Sequence, residues 1–269
     1  MAGTGREGRD RPVAPLGRPR PSFTKRKPGS PAGFFEVEAA GLRWLAVPGG
    51  APVAEVLAVE ASSITIARVA EASPTAEAAY AFGRGLARTH DAGAAAFGIG
   101  PDGWTGDGFI GDAPLSLHPH SSWGAFYAAE RVLPYAREAH RQGGLNSEEL
   151  RLIEGLAVRL ADGEFDDDAA PARIHGDLWA GNVLFTAESA TLIDPAAHGG
   201  HRLTDLAMLA LFGLPYLEQV FTGYADACLH LPAHWRDLIG LHQLHPLMVH
   251  AMLFGGGFGA RAAAIAARY

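Results

Sequence analysis

Apolar positions recur along this chain in two rhythms, and the change from one to the other falls near residue 74. Before it, Ala54–Val59 and Ser63–Val69 are β-branched runs parted by a polar turn, the pattern of an antiparallel strand pair. The stretch 22–27, ahead of Pro28-Gly29, predicts a further short strand. Phe34, Val37, Leu42 and Leu45, with Glu36 and Glu38 between them, predict a helix over 33–45. From Ser73-Pro74-Thr75 an alanine-rich segment runs to His90 with the start signal and residue mix of a long helix. Residues 92–121 are rich in Gly, Pro and Asp and predict an extended loop. Helices are then expected over 123–142 and 147–160. Two short apolar strands, Val183–Phe185 and Thr191–Ile193, flank a turn, and helix dominates from Thr204 to Arg268. The expected order is β, α, β, β and then helices with one embedded hairpin. Residues 1–22 carry neither rhythm and read as a disordered or loosely attached segment, with order beginning at Phe23.

Composition narrows the function classes. At 269 residues and 48% hydrophobic positions, one two-lobed domain is the economical reading, divided into 23–73 and 74–269. The net charge is −7, and because residues 1–30 hold eight of the 22 basic residues against two acids, the remainder carries −13. An acidic body gives no footing for nucleic acid and points to a small-molecule substrate. A single cysteine, Cys228, excludes an internal disulfide framework and fits a reducing cytoplasm. No apolar run reaches the length of a signal peptide after Arg20 or of a membrane span anywhere, so no membrane partner is expected.

The chemistry is concentrated in Ile174-His175-Gly176-Asp177-Leu178-Trp179-Ala180-Gly181-Asn182 and the later Leu192-Ile193-Asp194-Pro195. Phosphoryl transfer needs a carboxylate at the attacking hydroxyl and oxygen ligands that hold Mg²⁺ against the phosphates of ATP. Asp177 and Asn182 lie five apart on one loop, and pairing of the two short strands would place Asp194 beside them, the spacing of kinase-like catalytic loops. An Asp in a loop is ordinarily a turn or a cap. The combination of HGD, Asn at plus five, two strands and Ile-Asp is far less easily produced by chance. His175 is expected to brace this loop through its ring nitrogens.

The chain resembles the fructosamine kinases, a branch of the aminoglycoside-phosphotransferase-like kinases, through HGDLWAGN, LIDPAA at 192–197, GGHRLTDLAMLALFG at 199–213 and LFGGGF at 253–258. The resemblance covers residues 23–269. It implies an α/β, protein kinase-like two-lobed fold with a reduced N-terminal sheet lobe and a larger helical C-terminal lobe. It also implies ATP and Mg²⁺ as cofactors and the sugar hydroxyl of a ketoamine as acceptor. Carried over, Asp177 is the base, Asn182 and Asp194 are the Mg²⁺ ligands and Asp205 anchors the catalytic loop. Phe23-Thr24-Lys25 looks like the family's phosphate-contacting lysine strand and Glu38 like its helix partner. Lys25 and Lys27 are the chain's two lysines against 20 arginines, which supports a point-charge role there. Both fall on one strand face, so the register decides between them. Ile66, Ala67 and Arg68 fall where the family's hinge strand would meet adenine through its backbone. Trp179 is a candidate for the acceptor pocket, and His250 aligns with a family histidine on the substrate side.

Other features carry weaker signals. Gly3, Gly5 and Gly8 satisfy the letters of a phosphate loop with no strand ahead of them, so a family-type phosphate cover is not expected upstream of Lys25 and ATP should bind weakly. His242, His245 and His250 are expected in one helix and do not share a face well enough for a metal site. Trp123 and Trp235 read as core, and Gly255-Gly256-Gly257 as a helix stop. A kinase for an aminoglycoside, amino sugar or choline-like alcohol remains an alternative, as does a non-catalytic pseudokinase.

Overall fold

The computed structural model describes residues 21–228 and 230–269. The Gly3, Gly5, Gly8 pattern and all but the last two residues of the 1–22 segment lie outside them. Strand β1, Ser22–Arg26, starts one residue before the expected Phe23 and leads into helix α1, Phe34–Leu45. Strands β2, Val56–Glu60, and β3, Ser63–Ala67, follow, and the three form an antiparallel sheet in the order β1-β3-β2. The register sets Lys25 opposite Ile64 and Ser22 opposite Ala67. One face of α1 packs Phe35, Ala39 and Leu42 onto Ile64 and Ile66 of β3. Removing those side chains from water is the main favourable contribution here, at about 25 cal/mol per Å² of apolar surface.

Helix α2, Ala76–Asp91, opens on an N-cap, with the Thr75 hydroxyl accepting from the backbone N–H of Ala78 at 3.1 Å. The segment expected as an extended loop contains a small hairpin, β4, Gly108–Ile110, and β5, Ala113–Leu115. Its strands are three residues each, too short for alternation to show. The helix expected over 123–142 is α3, Trp123–Phe126, a π-helical stretch over Tyr127–Val132, and α4, Leu133–Arg141. Pro134, without an N–H, sits in the first turn of α4, where that donor is not needed. Helix α5, Ser147–Ala161, begins on a capping box between Asn146 and Glu149.

Next come β6, Ala172–Ile174, then β7, Val183–Phe185, then β8, Ala190–Leu192, then β9, His198–Gly200. Strands β7 and β8 form the expected hairpin, one residue earlier on the second strand. Strands β6 and β9 form a second antiparallel pair that brackets it. The expectation of one embedded hairpin is thereby corrected, since β4–β5 and β6–β9 are further two-stranded pairs. Helices α6, Leu203–Phe212, α7, Leu217–Ala227, α8, Trp235–His242, α9, Leu244–Phe254, and α10, Phe258–Ala266, complete the chain. The three histidines expected in one helix are divided by the break at Gln243, with His242 on α8 and the other two on α9. Trp123 and Trp235 are buried in the core, and Gly255 and Gly256 end α9 with positive φ. Among the described residues no helix is long and apolar enough to cross a membrane.

Candidate active site

Between β6 and β7 the chain turns sharply at Gly176, whose φ is +80°; a Cβ there would lie 2.3 Å from the carbonyl oxygen of Ala196. Only glycine fits both the dihedral and the space. The turn is fastened from below by Asp205, in the first turn of α6. Its carboxylate accepts from the backbone N–H of His175 at 2.7 Å and of Gly176 at 3.0 Å. Burial pushes the Asp205 pKa up, but the hydrogen bonds from His90 and from the loop backbone outweigh it and hold the carboxyl below its ordinary value. The ring of His175 ties the loop sideways. Its Nδ1 accepts from the N–H of Asp177 at 3.2 Å, which leaves Nε2–H to donate to Ile193 O at 2.8 Å.

A single 3₁₀ turn, Ala180–Asn182, brings Asn182 back under Asp177. The Asn182 amide donates to the backbone oxygen of Asp177 at 2.8 Å and to its Oδ2 at 3.1 Å. With its N–H groups so used, the side chain's remaining polar atom is an oxygen, the type of ligand Mg²⁺ takes. Asp194 follows β8 with a φ of +51°, an uncommon conformation for a residue with a side chain, held because Leu192 pairs with Val183 and the Ile193 N–H donates to Asn182 O at 3.2 Å. Lys25 Nζ lies 2.7 Å from Glu38 Oε2 and 3.1 Å from Asp194 Oδ1, so the sheet, α1 and the β7–β8 hairpin meet at one ammonium group. Lys27 instead pairs with Asp112 and stands 4.1 Å over the Phe34 ring. Of the two lysines, Lys25 is the one that meets Glu38 and Asp194. Burial raises the Glu38 pKa to about 7 against the opposing pull of Lys25. Burial also raises that of Asp177, with His175 and Asn182 opposing.

These side chains share a cavity of about 220 Å³, lined among others by Lys25, Glu38, Asp177, Trp179, Asn182 and Asp194. Trp179 is 43% exposed at its rim. Lys25 and Asp194 also border a second cavity of about 490 Å³, walled by Phe23, Ile66, Ala67, Arg68 and Val69. Along that wall the N–H of Ala67 is bonded to Glu55 O and that of Arg68 to Pro21 O, at 2.8 and 2.9 Å. Those two expected base donors are therefore spent within the sheet. His250 stands outside the lining of both cavities, its Nδ1 on Pro246 O at 2.7 Å and its ring against Phe212, Phe254 and Phe258. Beyond the β4–β5 hairpin, whose Gly111 borders the 220 Å³ cavity, Asp112 borders a third of about 530 Å³. Asp107, Glu130 and Glu138 line it too, facing Pro134, Tyr135 and Met252; Lys27 pairs with Asp112, Arg141 with Glu138 and His120 with Glu130. The sequence gives no signal for this cavity, because Asp107 and Asp112 flank strands too short to show a period and Glu130 and Glu138 lie on later helical segments.

Known proteins resemble this chain in sequence and in fold. A profile of the fructosamine kinase family matches residues 17–269. A protein of Synechocystis named "Probable ketoamine kinase" is 32% identical over 180 residues, a stretch that spans 66% of this chain and 58% of the relative. A crystal structure from Thermobifida fusca, of a protein named for fructosamine-3-kinase, superposes with a TM-score of 0.85 at 46% identity, covering 93% of this chain and 86% of that one. Aminoglycoside phosphotransferase APH(4)-Ia shares the fold, with a TM-score of 0.54 at 20% identity over 88% of this chain and 84% of its own.

Proposed function

The chain belongs to the fructosamine kinase family, and from that premise we propose that it moves the γ-phosphoryl group of ATP onto a sugar hydroxyl of a ketoamine. The observation that carries the reading is the convergence of Lys25, Glu38, Asp177, Asn182 and Asp194 on one cavity. In this reading the base of the nucleotide occupies the 490 Å³ cavity, against β3 and Val69, where carbonyl groups and the N–H of Val69 take over from the spent donors of Ala67 and Arg68. Lys25, oriented by Glu38, contacts the α- and β-phosphates.

Asn182 and Asp194 hold Mg²⁺, an amide oxygen and a carboxylate being a fitting set for an ion that keeps waters and phosphate oxygens as its other ligands. When bound, the ion neutralises charge on the transferring group. Asp177 accepts a hydrogen bond from the acceptor hydroxyl and takes its proton as the O–P bond forms and the bond from the γ-phosphorus to the ADP oxygen breaks, ADP leaving with that oxygen. The raised pKa of Asp177 makes it a better proton acceptor than an ordinary aspartate. Trp179 stacks on the sugar at the rim.

The four carboxylates of the third cavity, against the pairing cations Lys27 and Arg141, leave an excess of negative charge that favours an acceptor whose amine half is cationic. A division of labour between a sheet lobe up to residue 73 and a helical lobe from 74, and work in the cytoplasm, belong to the same reading. The test is a turnover assay with Mg·ATP across glycated lysine, glycated neutral amines, aminoglycosides and free sugars. The expected order places glycated lysine first. Preference for aminoglycosides would overturn the acceptor, and nucleotide binding without turnover on any acceptor would overturn catalysis.

A further inference from the structure

We infer that Lys27 is a specificity-determining residue that stands in for the cation of the acceptor: in the free protein its ammonium occupies Asp112, and the charged amine half of the acceptor takes its place there. The inference rests on the proposed seating of that half in the acidic cavity.

Lys27 follows β1 directly, and its backbone is fixed, the N–H donating to Ser62 O at 3.0 Å and the carbonyl accepting from Ser30 N–H at 3.1 Å. Movement is left to the side chain. Its ammonium pairs with Asp112 at the turn of the β4–β5 hairpin and stands 4.1 Å over the ring of Phe34, at the start of α1. Both contacts lie on a boundary. Phe34 and Gly111 border the 220 Å³ cavity that holds Asp177, and Asp112, the next residue, borders the 530 Å³ cavity with Asp107 and Glu130. Phe34 also meets Phe109 of β4, with ring centroids 5.1 Å apart, so the ring pair and the ion pair together bridge α1 and the hairpin. An acceptor with its hydroxyl at Asp177 and its amine half in the acidic cavity crosses this bridge.

Lys27 presents there an alkyl stem ending in an ammonium, laid on an aromatic face with a carboxylate at its head. An acceptor with an alkyl chain and a second ammonium beyond its ketoamine nitrogen brings the same groups. The strength of the pair suits displacement. Its side chains are 37% and 76% exposed, and ion pairs that open to water are weak. A ligand cation that meets Asp112 together with Asp107 and Glu130 gains from three carboxylates what Lys27 draws from one. An uncharged amine half has nothing to exchange for the pair and leaves it closed. Lys27 thereby sorts acceptors by the charge at their far end.

The test uses two probes, glycated lysine amide, whose free end carries an ammonium and no carboxylate, and glycated propylamine, whose free end is uncharged. Lys25 and Lys27 are the two lysines of the chain, so protein labelled with carbon-13 lysine gives two side-chain signals, and Lys27→Arg assigns them. In the free protein the Phe34 ring shields the end of the Lys27 side chain. Glycated lysine amide should release that shielding, and glycated propylamine should not. In calorimetry, Lys27→Met should lower the Kd of glycated lysine amide relative to glycated propylamine roughly two- to fivefold, the worth of an exposed ion pair. In an Asp112→Asn background the same substitution should change nothing. A Lys27 signal that ignores bound lysine amide, or that moves equally with both probes, would overturn the inference. So would a Lys27→Met gain that persists without Asp112, since that would be long-range charge and not exchange at one carboxylate. Binding of neither probe would remove the acceptor reading and this inference together. Displacement of Lys27 without phosphorylation of any acceptor would leave the inference standing and count against catalysis alone.

Discussion

The two carboxylates of one cavity, Asp177 and Asp194, are proposed to carry different duties because their surroundings differ. Asp177 is held by His175 and Asn182 and is raised by burial, whereas Asp194 faces Lys25 across 3.1 Å. Asp177→Asn should cut kcat by about a hundred- to ten-thousandfold, the usual range for loss of a general base, and leave nucleotide affinity alone. Asp194→Asn should weaken Mg²⁺-dependent nucleotide binding in calorimetry; equal loss of binding in both variants would show the duties wrongly divided. Glu38 gives a test on the protein free of ligands. Burial carries its pKa from 4.5 to about 7. A folded value above the unfolded one means its contribution to stability is fully present below about pH 4.5 and is lost as pH rises through about 7. Relative to Glu38→Gln, which does not titrate, the wild type should lose roughly 3 kcal/mol across that window, as a shift of that size implies. Denaturant midpoints of both proteins at pH 4.5, 6 and 8 would show it, and a constant difference would mean that Glu38 titrates as an ordinary glutamate.

At the level of elements, what could be read from the sequence is what has a long period or a sharp cap. Helix α2 announces itself by Thr75 and its alanines, α5 by its capping box, and β2–β3 by β-branched runs parted by a polar turn. The loop from His175 to Asn182 was legible because its chemistry is local in sequence. The pairs β4–β5 and β6–β9 were not, since three-residue strands carry no period and β6 meets β9 across 26 residues. The same distance in sequence hid His90 from Asp205, which are joined only once α2 packs on α6 and α7. Removing the cap with Thr75→Ala should cost about 1 kcal/mol in chemical denaturation, with the midpoint falling and the slope unchanged. The β4–β5 hairpin holds the acidic wall. Asp107→Asn with Glu138→Gln should raise KM for glycated lysine several-fold, on the order of one exposed charge pair per site, while sparing neutral glycated amines. An equal change for both acceptor classes would move the amine half elsewhere.

The whole molecule is sewn together at the catalytic hairpin rather than hinged freely there. Leu192 of β8 donates to Pro52 O at 2.8 Å and accepts from Ala54 N–H at 3.0 Å, and Ala72 N–H donates to Phe185 O at 2.9 Å. Ile193, beside Asp194, packs into the cluster of Phe35, Leu42 and Ile64 that forms the core under the sheet. On the far side, Gly41 lets α1 approach Pro195 and Ala197 so closely that a Cβ would lie 3.0 Å from the Ala197 methyl. The sheet and α1 thus complete their burial against residues that follow the catalytic loop, and the loop's metal-side residues gain their fixed places from the sheet. Neither part keeps its core when the other unfolds, so loss of one should take the other with it. Unfolding in urea should therefore be a single transition. Tryptophan fluorescence, which reports Trp44 in α1 as well as Trp123 and Trp235 in the helical core, should coincide with helix content by circular dichroism. Gly41→Val, which forces α1 off Pro195 and Ala197, should lower both midpoints together by an amount typical of core overpacking, about 1–3 kcal/mol. Two separated transitions, or a Gly41→Val variant that shifts fluorescence alone, would show that the sheet folds independently and that Lys25 and Asp194 are brought together only by docking of two stable parts.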